Sequence, residues 1–133
     1  MKLLLDTHAL LWWLSDDPRL EQQARTLIAD SHTSVLASAV SLWEIVVKVR
    51  IGKLDAEIDA IVGAIGQQGF TILPIDPAHL TALAGLQRLT DHRDPFDHLL
   101  IAQAIAEGAT LLSEDRNMSR YPVTLLTCSD GPG

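Results

Sequence analysis

The chain has 133 residues, of which 47% are hydrophobic and 20% charged, with a formal net charge of −7. That length and composition fit one globular domain with a real core, and no repeat or low-complexity tract divides it. The acidic balance excludes nucleic-acid binding by bulk attraction, because phosphate contacts rest on clustered Lys and Arg.

In chain order, "KLLLD" (2–6) is a short continuous apolar run, the pattern of a strand covered on both faces. "HALLWWLS" (8–15) predicts a helix, and Asp17 with Pro18 predicts the capped start of a second one running through "RLEQQARTLIAD". "TSVLAS" (33–38) is the next strand and "VSLWEIVVKVRIG" (40–52) the helix after it, stopped by Gly52. Asp55 opens the helix "DAEIDAIVGAIGQQG", "FTILPI" (70–75) is a strand, and Asp76-Pro77 starts a helix through Leu89. Asp94-Pro95 starts a helix that Gly108 ends, followed by the strand "ATLLS" (109–113), a helical link "EDRNMSRY" and a last strand "VTLLT" (123–127). Residues 128–133 read as a loose tail.

Alternating strands and helices predict an α/β fold, a parallel sheet with helices on both faces, over a single domain spanning 1–133. The single cysteine, Cys128, allows no intramolecular disulfide and suits a reducing compartment. The start "MKLLLDTH" is too short in apolar residues for a signal peptide, and no run reaches the ~18 residues a membrane span needs. A cytoplasmic protein is the expectation.

In such sheets ligands bind beyond the carboxyl ends of the strands. Asp6 ends the first strand, Asp115 lies two residues beyond "ATLLS", and Glu44 sits early in the helix leaving "TSVLAS". Asp97, in the first turn of its helix, joins them only if the loop around "TDHRD" returns the helix start to that end. Each acid also has a plain structural reading. Asp6 and Asp94 can cap helices, Asp97 is ambiguous, and Asp115 resembles ordinary loop polarity. Glu44 can complete a capping box with Ser41, unless Ser38 is the cap and leaves the carboxylate among apolar neighbours. If the acids converge, they repel one another unless a cation compensates, and an all-oxygen set suits Mg²⁺ or Mn²⁺ better than zinc. Metal held there can activate water for phosphodiester hydrolysis. The five histidines show no ligand spacing and read as surface or cap residues.

The segments "LLLDTHALLWWL", "SLWEIVVKVRIGKL", "RDPFDHLLIAQA" and "LLSEDRN", in that order, resemble the PIN-domain ribonucleases, and among them the VapC-type toxins of toxin–antitoxin pairs. The resemblance covers residues 1 to about 126. It implies that Asp6, Glu44, Asp97 and Asp115 form an acidic quartet holding Mg²⁺ or Mn²⁺, with Asp94 and Ser113 supporting it and Thr7 bonding near the first acid. It further implies RNA cleavage by metal-activated water, a homodimer, and inhibition by a small cognate antitoxin. His98 departs from the pattern, in which an arginine commonly follows the third acid, and Glu114 adds a negative charge beside Asp115.

Lys48, Arg50 and Lys53 form a basic strip after Glu44, and Arg116 lies near Asp115; the strip reads equally as a solvated helix end or as RNA contacts, and these four are the candidates for the latter. Adjacent helical residues point about 100° apart, so one of Trp12 and Trp13 is expected in the core and the other in a partner groove. Two other classes compete. A receiver-like regulatory module would use Asp76 as phosphoacceptor but lacks the lysine after the last strand, and an aspartate phosphatase would need D-x-D where Asp6-Thr7-His8 stands.

Overall fold

The computed structural model describes residues 1–129. Five strands, β1 (Lys2–Leu5), β2 (Ser34–Ser38), β3 (Thr71–Leu73), β4 (Thr110–Leu112) and β5 (Leu125–Leu126), form one all-parallel sheet in the order β3-β2-β1-β4-β5. Six α-helices connect them: α1 (Thr7–Leu14), α2 (Gln22–Ala29), α3 (Ala39–Arg50), α4 (Ile58–Gln67), α5 (Pro77–Ala84) and α6 (Pro95–Glu107).

The leucine run of β1 explains the layering. Side chains of a strand alternate between faces, so Leu3 and Leu5 enter one core with residues of α1, α2 and α4, while Leu4 enters a second with Leu100, Ile101 and Ala104 of α6. All three are fully buried, each contributing roughly 1.5–3 kcal/mol of burial free energy. The expected α/β/α arrangement is therefore present.

The direction of α6 matters most for function. Only Gly108 and Ala109 separate it from β4, so the chain must reverse at once and α6 runs antiparallel to the strand it feeds. Gly108 makes the reversal in the left-handed region, at φ 62°, where glycine carries no Cβ penalty. The far end of α6 lies over the start of β1, where the Lys2 ammonium donates to the Glu107 carbonyl at 3.3 Å and pairs with its carboxylate at 3.6 Å. Its near end, with Asp97, consequently stands at the carboxyl edge of the sheet. At its centre buried Gln103 accepts from the Ser38 hydroxyl and donates to the Pro74 carbonyl, tying α6 to the ends of β2 and β3.

Several expected boundaries move. Asp17 does not cap a helix: its carboxylate takes the Arg19 backbone N–H and guanidinium, and Arg25 ties Asp16, Asp17 and Leu20 into a turn. Arg19 holds the Asp17 carboxyl down at about 2, and α2 starts only at Gln22. Asp55 likewise stays exposed ahead of α4, whose N-cap is Glu57. The helix expected through Leu89 stops at Ala84, yet Leu86 and Leu89 of the following loop pack against the same core as Leu83. That shared burial gives the loop a helical apolar period without a helix. Asp76 caps α5 in a capping box with His79, consistent with the cap reading and not with a free phosphoacceptor. The tail is tied down at its start. Cys128 is fully buried, its carbonyl accepts from Glu21 N–H at 2.8 Å, and burial pushes its thiol up to about 12. Residues 130–133 of the expected loose tail lie outside the described residues.

Neither Trp12 nor Trp13 divides the work as expected. Both are half-buried against the same core, Trp13 donating to Gln68 and packing on Phe70, Trp12 stacking on His8 under the Arg19 guanidinium. The largely exposed tryptophan is Trp43, at 51%.

Gly108→Ala is expected to lose about 1 kcal/mol in denaturant unfolding, because alanine must adopt the left-handed conformation that closes α6 onto β4. An unchanged midpoint would show that the reversal does not depend on glycine.

Candidate metal centre

The carboxyl edge of the sheet gathers the four acids, and each arrives by a different local device. Asp6 directly follows β1, its backbone N–H donating to the Leu112 carbonyl at 3.0 Å, and its Oδ1 caps α1 by accepting from Ala9 N–H at 2.8 Å. Ser113, at the end of β4, hydrogen-bonds the Asp6 carboxyl and also accepts from Asp115 N–H at 3.0 Å. One hydroxyl thus links the first and last acids.

Glu44 lies one turn into α3 and is 4% exposed. Ser38, not Ser41, caps this helix through Val40 N–H, so Glu44 is not half of a capping box. Its Oε1 accepts from the Thr7 hydroxyl at 2.6 Å, which also lies 3.0 Å from Ser41 Oγ, and its Oε2 accepts from Lys48 at 2.5 Å. Thr7 therefore serves the second acid although it adjoins the first.

Asp94 caps α6, its Oδ1 accepting from Phe96 N–H at 2.9 Å and Asp97 N–H at 3.4 Å, with Pro95 in the first turn. This fixes Asp97, three residues past the cap, facing into the cleft. Asp115 caps the 3₁₀ turn Arg116–Arg120 with Oδ1, through Asn117 N–H at 3.0 Å, while Oδ2 turns to the cleft. Glu114 faces elsewhere, accepting from the backbone and hydroxyl of Ser129.

Electrostatics follow from this crowding. Burial raises the Asp6 carboxyl above its ordinary value, against the opposing hydrogen bonds from Ser113 and Ala9, and the Glu44 charge raises it further. Burial also pushes Asp97 up to about 6, opposed by the His92 hydrogen bond and reinforced by the charges of Asp94 and Asp6. Asp6 thus feels the charge of Glu44, and Asp97 those of Asp94 and Asp6. Lys48, bonded first to Glu44, also feels Asp94 and Asp97.

Sequence reasoning missed His92. Expected on the surface, it is buried, and its Nε2 sits 3.2 Å from Asp97 Oδ2 and 3.9 Å from Asp115 Oδ2, making these three a compact ligand-type group. No spacing signal announces it, because it lies on the irregular loop between α5 and α6. His79 is buried too, between Gln103 and Glu107.

Of the basic candidates, Lys48 is spent on Glu44, although with Lys53 it lines a cavity of about 280 Å³ beside Thr7 and His8. Arg50 and Arg116 are exposed. Arg120 pairs with Asp91.

A family model described as PIN domain matches residues 3–123. The chain belongs to the PIN domain family. No curated protein sequence matches it. Among solved structures, this PIN domain is similar to VapBC2 from Rickettsia felis bound to a promoter DNA fragment, with TM-score 0.73 and 18% identity over 96% of this chain and 98% of that one. It is also similar to DNA-bound VapBC from Salmonella typhimurium, with TM-score 0.69 and 16% identity over 97% and 99% of the two chains. FitAB bound to an IR36 DNA fragment follows, with TM-score 0.59 and 18% identity over 95% and 94%. At these identities the likeness is one of fold.

Asp97 of this PIN domain gives a signed pH prediction. A carboxyl at about 6 in the folded state, against 3.8 otherwise, holds its proton more tightly when folded. Stability therefore falls as pH rises from about 4 to about 6 and stays lowered above, by on the order of 2–3 kcal/mol. Without added divalent cations, Asp97→Asn is expected to be more stable than wild type at pH 7.5 and to show a shallower decline across that window. Asp94→Ala, which removes a cap, is expected to lose about 1 kcal/mol at either pH. Thermal melts across pH check both, and a destabilised Asp97→Asn at pH 7.5 would contradict the electrostatic account.

Proposed function

We propose that this PIN domain is a Mg²⁺- or Mn²⁺-dependent endoribonuclease acting as the toxin of a toxin–antitoxin pair. The observation that carries this reading is the convergence of Asp6, Glu44, Asp97 and Asp115 on one edge of the sheet, with two carboxyls raised by burial and mutual charge. Oxygen donors gathered on one edge of the sheet fit a hard divalent cation, which relieves the repulsion that burial intensifies. Bound there, such a cation supplies an activated water and charge stabilisation for the leaving oxygen.

The residues of the chain then divide the remaining work. Asp6, Glu44, Asp97 and Asp115 are the proposed ligand set, and each is held by bonds already in place: Ala9 N–H and Ser113 on the Asp6 carboxylate, Thr7 on Glu44, Asn117 N–H on Asp115, and for Asp97 its own backbone N–H donated to the Asp94 cap. Pre-orientation of this kind lowers the cost of assembling a reactive geometry. Hydrolysis adds the water oxygen to phosphorus, breaks one P–O ester bond and returns a proton to the departing oxygen. Arg50, Lys53 and Arg116 are the proposed contacts for the flanking phosphates, and they offset locally a chain whose net charge is −7. Lys48 acts on Glu44 first.

The toxin assignment is supported by the solved VapBC and FitAB structures of the same fold. A small antitoxin protein and a second copy of the chain are the proposed partners. Trp43 is a candidate anchor for the antitoxin, because it is exposed, packs edge-on against Phe96 at 4.8 Å and adjoins Glu44. Among the described residues no helix is long and apolar enough to cross a membrane, and the free Cys128 thiol accords with the proposed cytoplasmic setting.

Cleavage of a single-stranded RNA by the purified protein is expected with Mg²⁺ or Mn²⁺ and not with chelator. Asp6→Asn and Asp97→Asn are each expected to lose at least 100-fold in rate, on the order of a removed electrostatic contributor, with circular dichroism unchanged. Cleavage that survives chelation, or full activity in both variants, would end this reading.

A further inference from the structure

His92 enters the cleft without a part in the function proposed above, and its hydrogen-bond accounting restricts what it can do. One ring nitrogen, Nε2, faces Asp97 at 3.2 Å and Asp115 at 3.9 Å, and the other, Nδ1, lies 2.8 Å from the Tyr121 hydroxyl. Which nitrogen carries the proton has to be read from the partners. His98 Nε2 lies 2.7 Å from the His92 carbonyl oxygen, which can only accept, so His98 Nε2 is a donor. It also lies 3.3 Å from the Tyr121 hydroxyl and, being protonated, cannot accept from it. Tyr121 is buried, and among the described residues its hydroxyl proton then has one acceptor in reach, His92 Nδ1. A proton on Nδ1 would leave that buried donor unsatisfied. Nε2 therefore carries the hydrogen and directs it at Asp97.

We propose that His92 is a positioning residue, not a metal ligand: its Nε2–H, set by Tyr121 and His98, holds the Asp97 carboxylate by Oδ2, with Asp115 beside it, and leaves Asp97 Oδ1 free for the cation. The three rings form one packed group, with centroids 5.0 Å apart for His92–His98, 5.4 Å for His92–Tyr121 and 6.0 Å for His98–Tyr121. His98, which stands where an arginine is common in the family, belongs to this group and faces the His92 backbone. A ligating imidazole would instead present a bare Nε2 and would favour softer, nitrogen-preferring metals over Mg²⁺.

The inference rests on the metal-dependent reading of the cleft, and its test separates the two. In nitrogen-15 spectra of the wild-type protein, His92 is expected as the Nε2–H tautomer both before and after Mg²⁺ is added. By calorimetry, His92→Phe is expected to bind Mn²⁺ roughly 10-fold or more weakly than wild type, the usual cost of removing a partner that orients a ligand. His92→Gln, which offers an amide N–H near the position of Nε2, is expected to recover most of the affinity, and thermal melts of each variant separate affinity from folding. Loss of the Nε2 proton on Mg²⁺ addition, or unchanged Mn²⁺ affinity in His92→Phe, would overturn the inference while leaving the nuclease reading intact. A wild-type protein that binds no Mn²⁺ would overturn the reading beneath it, and the inference with it.

Discussion

Repulsion between carboxylates held together at the edge of the sheet is the constraint to which the rest of this structure answers. Two like charges 4 Å apart cost about 4 kcal/mol at the effective dielectric of a protein surface, and more inside. The fold meets that cost with fixed donors around each acid. Ala9 N–H and the Ser113 hydroxyl serve Asp6, Thr7 and Lys48 serve Glu44, His92 serves Asp97, and Asn117 N–H serves Asp115. Burial, with the neighbouring negative charges adding to it, outweighs these donors at Asp6 and Asp97, whose carboxyls are displaced upward. A stable protein gains little from such an arrangement, and the proposed cation would offset what the donors do not.

Topology explains why the acids meet. With β1 at the centre of an all-parallel sheet, its carboxyl end is flanked by the ends of β2 and β4. Residues that follow these three strands, Asp6, the start of α3 and Asp115, are gathered without any special feature. Asp97 needs one more condition, because it precedes its strand. The two-residue link between α6 and β4 supplies it, since a helix that feeds a parallel strand through so short a turn must begin at the opposite edge. The Lys2–Glu107 contact at the other end of α6 confirms the direction independently.

Much of this was legible in the sequence, and what was not has identifiable causes. The leucine run of β1, the Asp76-Pro77 and Asp94-Pro95 helix starts and the Gly108 stop are local signals, decided within a few residues, and they read correctly. The errors come where tertiary bonding competes with local preference. Asp17 has the look of a cap, but Arg19 and Arg25 draw it into a turn. Leu86 and Leu89 keep the helical period beyond α5 because the loop packs against the core of α6. Cys128 lies in a stretch without secondary-structure signals, yet it closes the core under α2. The order of motifs singles out the acids as candidates; the bonds of Lys48, Thr7 and Ser113 were not legible, because they join residues far apart in the chain or choose among several acids.

His92 is the sharpest instance of that limit, and the loop that carries it shows how a poorly patterned segment comes to hold a fixed side chain. The ten residues 85–94 between α5 and α6 contain no regular structure, so no periodicity marks any of them as inward. The loop is nevertheless pinned at both ends and in the middle: Leu86 and Leu89 are packed on the core, Gln87 donates to the Arg120 carbonyl at 2.7 Å, and Arg120 pairs with Asp91 at 2.9 Å. These contacts join the loop to the 3₁₀ turn that Asp115 caps. Tyr121, immediately after that turn, then takes His92 Nδ1. The last acid of the cleft and the histidine that faces it are therefore carried by two segments bonded to each other. That shared attachment gives His92 and Asp115 a common frame, and Asp97 meets them from the first turn of α6.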